Sequence, residues 1–266
     1  MLHCWGSAVK QLKGKAEETM SGVRDQLYEL GISPGDVVLM HSSMKALRTE
    51  LTPECFLLEL MQALAEEGTL LLPALTYETV TLEKPYFSAI DSEPCIGKLP
   101  GTFYKMEGVV RSLHPTHSVC ARGARADALT NKHFNDNTPV GPNSPFMLLT
   151  QYDGKILFIG EVLHSCTFMH GIEEIVNAPY LMNKDMTQYT LTDSTGNVHV
   201  RNYYTHNFKG WNQEYTRIRD ILTYPDIRTG TVCAAPCTLV DACKLKTAAI
   251  ERFNNDIYAF VSPSQE

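Results

Sequence analysis

A hydroxyl, an imidazole and a carboxylate recur at three-residue steps in Cys166-Thr167-Phe168-Met169-His170-Gly171-Ile172-Glu173-Glu174. Steps of three on a helix place side chains on one face, within reach of each other. A neutral imidazole accepts a proton near neutral pH, a carboxylate behind it orients the ring, and a hydroxyl donates to developing negative charge. Thr167, His170 and Glu173 therefore have the types and spacing of an oxyanion donor, a general base and its orienting carboxylate. The same residues also suit a satisfied core histidine with a glutamate answering the helix dipole. The local pattern leaves both open.

The elements around the trio favour a site. The apolar run Lys155-Ile156-Leu157-Phe158-Ile159-Gly160 reads as a buried strand, and the residues after it have helical character until Pro179. A strand-to-helix junction beyond a strand's carboxyl end is where α/β folds bind ligands. Upstream, helical periodicity covers 8–30 and ends at Gly31. A short buried strand follows at Val37-Val38-Leu39-Met40. Thr52 caps a helix from Pro53 to about Glu67, and Thr69–Pro73 makes the next strand. Residues 76–110 read as a long irregular loop. Val119–Gly123 is a further strand, with helical stretches over Ala124–Leu129 and Phe146–Gln151. Alternation from Thr187 to Tyr204 around Ser194-Thr195-Gly196-Asn197 predicts a hairpin. A last helix is expected from about Leu239 to Asn254. The expected class is α/β: a mixed, mostly parallel sheet flanked by helices, with a small antiparallel lobe.

Two other segments carry chemistry. His41-Ser42-Ser43 leaves a buried strand into a turn, and its hydroxyls, backbone N–H groups and Lys45 suit a phosphate as well as a helix cap. Arg111-Ser112-Leu113-His114-Pro115-Thr116-His117-Ser118 gathers a cation, two imidazoles and three hydroxyls, a set fitted to phosphate recognition through the guanidinium fork. Metal ligation by His114 and His117 lacks an acidic or thiol partner nearby in sequence. Cys166, four residues before His170, reads either as a thiol beside its base or as inert packing. No G-x-S-x-G elbow and no Gly-rich nucleotide loop occurs.

Composition narrows the classes. The 266 residues are 44% hydrophobic and 20% charged, as in a soluble globular protein with a sizeable core. No run approaches a membrane span. A net charge of −7 argues against nonspecific nucleic-acid binding. The eight cysteines form no CxxC pair, so neither a zinc site nor a disulfide framework is expected. The opening Met1-Leu2-His3-Cys4-Trp5-Gly6 lacks a secretory layout, and the expected location is the cytoplasm.

Across about residues 30–180, six ordered blocks resemble the aminoglycoside 3-N-acetyltransferase family, whose antibiotic N-acetyltransferase fold is distinct from GNAT. The blocks are Gly35–Leu47, Gly68–Pro73, Gly108–Val119 with Gly123 and Ala126 after it, Gly141–Pro145, Gly154–Gly160 and Thr167–Glu173. Met44 stands where the family usually has leucine, and Arg48-Thr49-Glu50 replaces a common glycine pair. The resemblance implies acetyl-CoA as cosubstrate, no metal, and CoA contacts from His41, Ser42, Ser43, Lys45, Arg111, Ser112, His114 and Ser118. It implies catalysis by His170 and Glu173 with Thr167 near the thioester carbonyl, and no job for Cys166. The expected reaction is acetylation of the 3-amino group of a 2-deoxystreptamine aminoglycoside, giving resistance. A biosynthetic amine as acceptor and a non-catalytic CoA-binding protein are the alternatives. One domain over 1–266 is expected, with 185–235 a substrate-side subregion, Glu78, Glu83, Asp91, Glu93, Asp136 and Glu174 as candidate acceptor carboxylates, and a monomer or homodimer free of membrane and nucleic acid.

Overall fold

Val37–Ser42 forms β1, whose apolar stretch Val37-Val38-Leu39-Met40 needs cover on both faces before the strand ends in His41 and Ser42. It receives that cover in a computed structural model that describes residues 22–264. Most of the expected 8–30 helix lies outside the described residues, together with Cys4; the rest is α1, residues 22–30. After β1 come α2 (Met44–Leu47), α3 (Pro53–Leu64) and β2 (Thr69–Pro73). Thr52 caps α3 by accepting the Cys55 N–H, as its type and place require. The 76–110 region holds β3 (Tyr86–Ser88), α4 (Lys98–Phe103) and the start of β4 (Val110–Arg111). Next are β5 (Val119–Gly123), α5 (Ala126–Thr130), α6 (Pro145–Leu148), β6 (Lys155–Ile159) and α7 (Phe168–Ile175). The chain continues through β7 (Thr187–Thr192), β8 (Val198–Tyr203), β9 (Trp211–Gln213) and α8 (Ile218–Ile221). It ends with β10 (Ile227–Val232), β11 (Ala235–Asp241), α9 (Ala242–Asn255) and β12 (Val261–Pro263).

The main sheet has seven strands in the order β10-β11-β6-β1-β2-β5-β4. The mixed α/β class is as expected, but parallel pairing is confined to the centre. β1 runs parallel to β2 and β6, whereas β5, β4, β11 and β10 are added antiparallel. "Mostly parallel" is thus corrected to a three-strand parallel core between antiparallel pairs. The C-terminal expectation is corrected too, since Leu239–Asp241 belong to β11 and the helix begins at Ala242. The expected hairpin is β7–β8, antiparallel from Thr187↔Tyr203 to Thr192↔Val198, with β3 added parallel at its side.

Strand alternation sorts the core into two layers. Leu39, Leu71, Ile156, Phe158 and Val240 face one side, with Phe168, Met169 and Ile172 of α7 and Leu245 of α9. Val38, Met40, Leu70, Leu72, Leu157 and Ile159 face the other, against Leu27, Phe56, Leu57 and Leu60. Burying strands from both faces at ~25 cal/mol per Å² of apolar surface is what makes this sheet a rigid base for a site. Two glycines matter for that site. Gly160 leaves β6 at φ 89°, and a Cβ there would press Ala46 Cβ at 3.0 Å and Ser43 Cβ at 3.2 Å. Gly171 lets α7 settle against α6, since its Cβ would sit 2.5 Å from Met147 Cε and 2.8 Å from Val140 Cγ1.

Candidate active site

The carboxyl ends of β1 and β2, with the segment that enters α7 after β6, open into a cavity of about 1040 Å³. His41 and Ser42 come from β1, Pro73 and Leu75 from β2 and beyond, and Thr167 and His170 from the start of α7. Segments flanking the small sheet form the cover, including Tyr77, Val80 to Glu83, Asn183 to Thr187, Thr205, His206 and Phe208. The strand-to-helix junction read from the sequence is therefore the floor of the cavity.

His170 Nδ1 lies 3.1 Å from Glu173 Oε2, and Tyr215 Oη lies 2.8 Å from the same nitrogen and 2.7 Å from the same oxygen. Tyr180 donates to the other carboxylate oxygen, Oε1, at 2.9 Å. Glu173 and Tyr215 are fully buried, and His170 is 9% exposed. Three atoms in mutual contact need two protons among them, and the tyrosine supplies one. An ionised carboxylate supplies none, so Nδ1 must carry the other; lone pairs would otherwise face each other in a dry site. The ring is thereby held as the Nδ1–H tautomer, with Nε2 free as the base. Thr167, at the helix N-cap, lines the same cavity and makes one long bond of 3.5 Å to Ser165 O. Its hydroxyl remains available to a ligand.

Two further imidazoles crowd the base. His206 is 4.8 Å from His170 between ring centroids and 5.0 Å from His117. Glu174 Oε1 takes the Val140 N–H at 2.8 Å and binds His206 Nε2 at 3.0 Å. Glu174 is thus committed behind His206 and does not line the cavity, which corrects its reading as an acceptor carboxylate. Of the other carboxylates named for that role only Glu83 reaches the wall, joined by Asp185 and by the cation of Lys184. Asp136 instead binds Asn143, Glu93 pairs with Lys105, and Asp91 accepts from Ser88.

The two segments expected to hold a cofactor separate. His41 and Ser42 line the cavity, while Ser42, Ser43, Lys45, Arg48 and Lys98 border an adjoining depression of about 790 Å³. Ser42 and Gly97 belong to both. Arg48, at φ 45°, adopts a left-handed conformation that glycine takes without strain, and adds a cation that glycine would not. Burial lowers His41 to about 3, so it presents a neutral ring stacked on Phe158.

Arg111, Ser112, His114 and Ser118 lie outside the cavity wall. Arg111 donates to Ser118 Oγ at 3.0 Å and to the carbonyls of Ala74 at 2.9 Å and Ser92 at 2.5 Å. Ser118 donates to Ala74 O, Ser112 accepts the Val119 N–H, and His114 Nδ1 accepts the N–H groups of Thr116 and His117. These side chains build the loop that delivers Thr116 and His117 to the cavity. Among the described residues no group of three His, Cys, Asp or Glu side chains is arranged to hold a metal.

Cys166 is fully buried, faces away from the cavity, and its thiol is pushed up to about 12 by burial. The thiol-nucleophile reading is corrected accordingly, since the thiolate is the reactive form. Cys166→Ala is expected to leave steady-state turnover at this site within about twofold of wild type; a loss of orders of magnitude would restore the nucleophile.

His41, His114, His117, His133 and His206 are all lowered from 6.5, each chiefly by burial. The unfolded chain therefore binds more protons than the folded one below pH 6.5, and stability falls as pH drops from there toward about 3. Asp136 and Glu174, raised by burial, act in the opposite sense but are outnumbered. Urea midpoints should decline steadily from pH 7 to pH 5; a flat or rising profile would contradict this assignment.

Tyr180, Tyr215, His206 and Phe208 carried no signal in the sequence, having no motif and no common spacing; His117 was visible only as part of its cluster. A profile of the family described as aminoglycoside 3-N-acetyltransferase matches residues 39–254. Aminoglycoside N(3)-acetyltransferase VII of Streptomyces paromomycinus is 31% identical over 66% of this chain and 67% of its own. Aminoglycoside N(3)-acetyltransferase IX of Micromonospora chalcea is 27% identical over 84% and 89%. Among solved structures, AAC-IIIb in a binary complex with CoASH is 23% identical with a TM-score of 0.77, covering 92% of this chain and 98% of that one. AAC-VIa bound to sisomicin is 24% identical with a TM-score of 0.72, covering 89% and 97%. The structural likenesses establish the fold, and with the profile and the relatives on the page the chain belongs to the aminoglycoside 3-N-acetyltransferase family, a family of acyltransferases.

Proposed function

We propose that the protein transfers the acetyl group of acetyl-CoA to the 3-amino group of a 2-deoxystreptamine aminoglycoside, and so confers resistance. The observation that carries this reading is the orienting of His170 by Glu173 on the floor of a cavity that adjoins a cationic depression. The phosphates of CoA would lie over Ser43, Lys45, Arg48 and Lys98, with the pantetheine arm passing Ser42 and Gly97. Arg111, Ser112, His114 and Ser118 would support the far wall from behind, through His117.

An amine arrives as an ammonium and attacks only after losing a proton, which His170 Nε2 accepts. Glu173 stabilises the imidazolium, and such acid–base help is typically worth ~10²–10⁴ in rate. The nitrogen then attacks the thioester carbon, and Thr167 Oγ1 donates to the oxyanion, a kind of contact worth roughly 10²–10³. Collapse breaks the carbon–sulfur bond, the imidazolium passes its proton to the leaving thiolate, and the extra proton left on the new amide nitrogen goes to solvent through the freed Nε2, so one proton is released per turnover. No covalent enzyme intermediate is required.

One observation favours the second reading, a less charged biosynthetic amino sugar. Among the described residues the carboxylates lining the cavity, Glu83 and Asp185, are exposed on its rim beside Lys184. Each ammonium drawn from water into the interior needs a partner, and a drug with several finds few here. Thiol release with acceptors graded by ammonium count tests both. Turnover on 2-deoxystreptamine drugs supports the first reading, and turnover confined to acceptors with one or two ammoniums supports the second. No turnover on any amine sinks the acyl-transfer proposal.

A further inference from the structure

The direct His170 Nδ1···Glu173 Oε2 contact, at 3.1 Å, is the longest side of the triangle that includes Tyr215 Oη. Nitrogen-to-phenol oxygen is 2.8 Å and phenol-to-carboxylate 2.7 Å. With Nδ1 protonated and the phenol donating to Oε2, the shorter path for the ring's N–H ends on Tyr215. We propose that Tyr215 is a positioning residue of the acetyl transfer, the middle member of a His170–Tyr215–Glu173 chain that sets the tautomer and basicity of His170. This rests on the assignment of His170 as the base.

Tyr215 suits that place. It is fully buried and cannot touch the acceptor. It sits just past β9, whose pairing with β12 and the Glu214 N–H to Phe260 O bond of 2.8 Å fix where its ring enters. Burial first, and the Glu173 charge second, raise it well above the ordinary phenol range, so it stays a donor at working pH. Through the cycle the Nδ1 proton and the phenol proton stay where they are. The proton taken from the ammonium resides on Nε2 until it passes to the thiolate. The chain keeps the basic lone pair on the cavity side and divides the Glu173 charge among His170, Tyr215 and Tyr180. The other titratable groups around the ring are His41, His117 and His206, with Glu174 behind His206.

Tyr215→Phe keeps the ring and removes the hydroxyl. Glu173 then has one donor fewer, so more of its charge acts on the imidazolium across the direct contact. Losing the neutral phenol oxygen as an acceptor works the other way, but more weakly than an anion does. The variant is expected to melt near wild type, with kcat down about tenfold to a hundredfold and acceptor KM within about twofold. The acid limb of its kcat/KM profile should move up by about half a pH unit or more. A ring-fluorinated tyrosine at 215 keeps the fold and strengthens the donor, and should move that limb down. Wild-type kcat with an unmoved limb in the Phe variant, or no shift with the fluorinated residue, overturns the proposal. His170→Ala, run alongside, separates the failures. If it stays fully active the base assignment falls; if it is inactive while Tyr215→Phe is wild type, only the role of Tyr215 falls.

Discussion

His170→Ala is expected to lower kcat/KM for acetyl transfer about a thousandfold, leaving CoA affinity and melting temperature near wild type. The rate goes because the cavity then holds no imidazole fit to replace His170. His117 and His206 are each lowered well below 6.5, mainly by burial, and His41 to about 3, so none is poised to take an ammonium's proton near neutral pH. Stability stays because the ring is lost at a cavity wall, where it is 9% exposed, and water can refill the space. Stopped-time thiol release with saturating acetyl-CoA measures the rate, and CoA titration measures the affinity. Near wild-type turnover in this variant would remove His170 from the chemistry.

Glu173→Gln should have the second-largest effect, and on two quantities together. The fully buried carboxylate takes the Tyr180 and Tyr215 hydroxyls and faces the His170 Nδ1–H at 3.1 Å. An amide offers one oxygen where two carboxylate oxygens each take a hydroxyl, and turns its own N–H groups toward the other. A buried donor left without an acceptor costs about 1–3 kcal/mol, which in a chain of this size lowers Tm by several degrees. The imidazolium also loses its anion, so kcat should fall about a hundredfold or more. Differential scanning calorimetry and single-turnover kinetics on one preparation check the pair. A variant slowed but unchanged in Tm would show that Glu173 is not the buried hub described here.

How much of this was legible depends on how local each signal was. β2, β5 and β6 are short apolar runs closed by proline or glycine, and they stand where the pattern places them. The end of β11 reads as helix in the sequence because Leu239-Val240-Asp241 runs into Ala242 of α9 without a breaker. Its hairpin partner β10 is turned at Cys233, which adopts φ 52° without the glycine or asparagine that usually marks such a turn. The parallel share of the sheet reads too high from the sequence because β4 and β10 carry no strand signal of their own, and nothing in the run of β5 shows that it pairs antiparallel.

The site divides in the same way. Thr167, His170 and Glu173 share one helix start, so spacing alone brings them together. Tyr215, 45 residues after His170, and His206, 32 residues after Glu174, reach it only through the folding of the small sheet and the β9–β12 pair. The density of polar groups from Arg111 to Ser118 was a true signal of a built structure. Its hydrogen bonds run inward to Ala74 and Ser92, which no pattern in the segment reveals.

Acetyl transfer to an amine through His170 is tested most directly by locating the acetyl group in the product. Acetyl-CoA carrying an isotope-labelled acetyl group, incubated with the protein and a 2-deoxystreptamine aminoglycoside, should yield a labelled amide. NMR should place that label on the 3-amino nitrogen, and the signal should fall to background with His170→Ala. Label on a hydroxyl, label retained on the protein, or an amide formed equally well by His170→Ala would contradict the account.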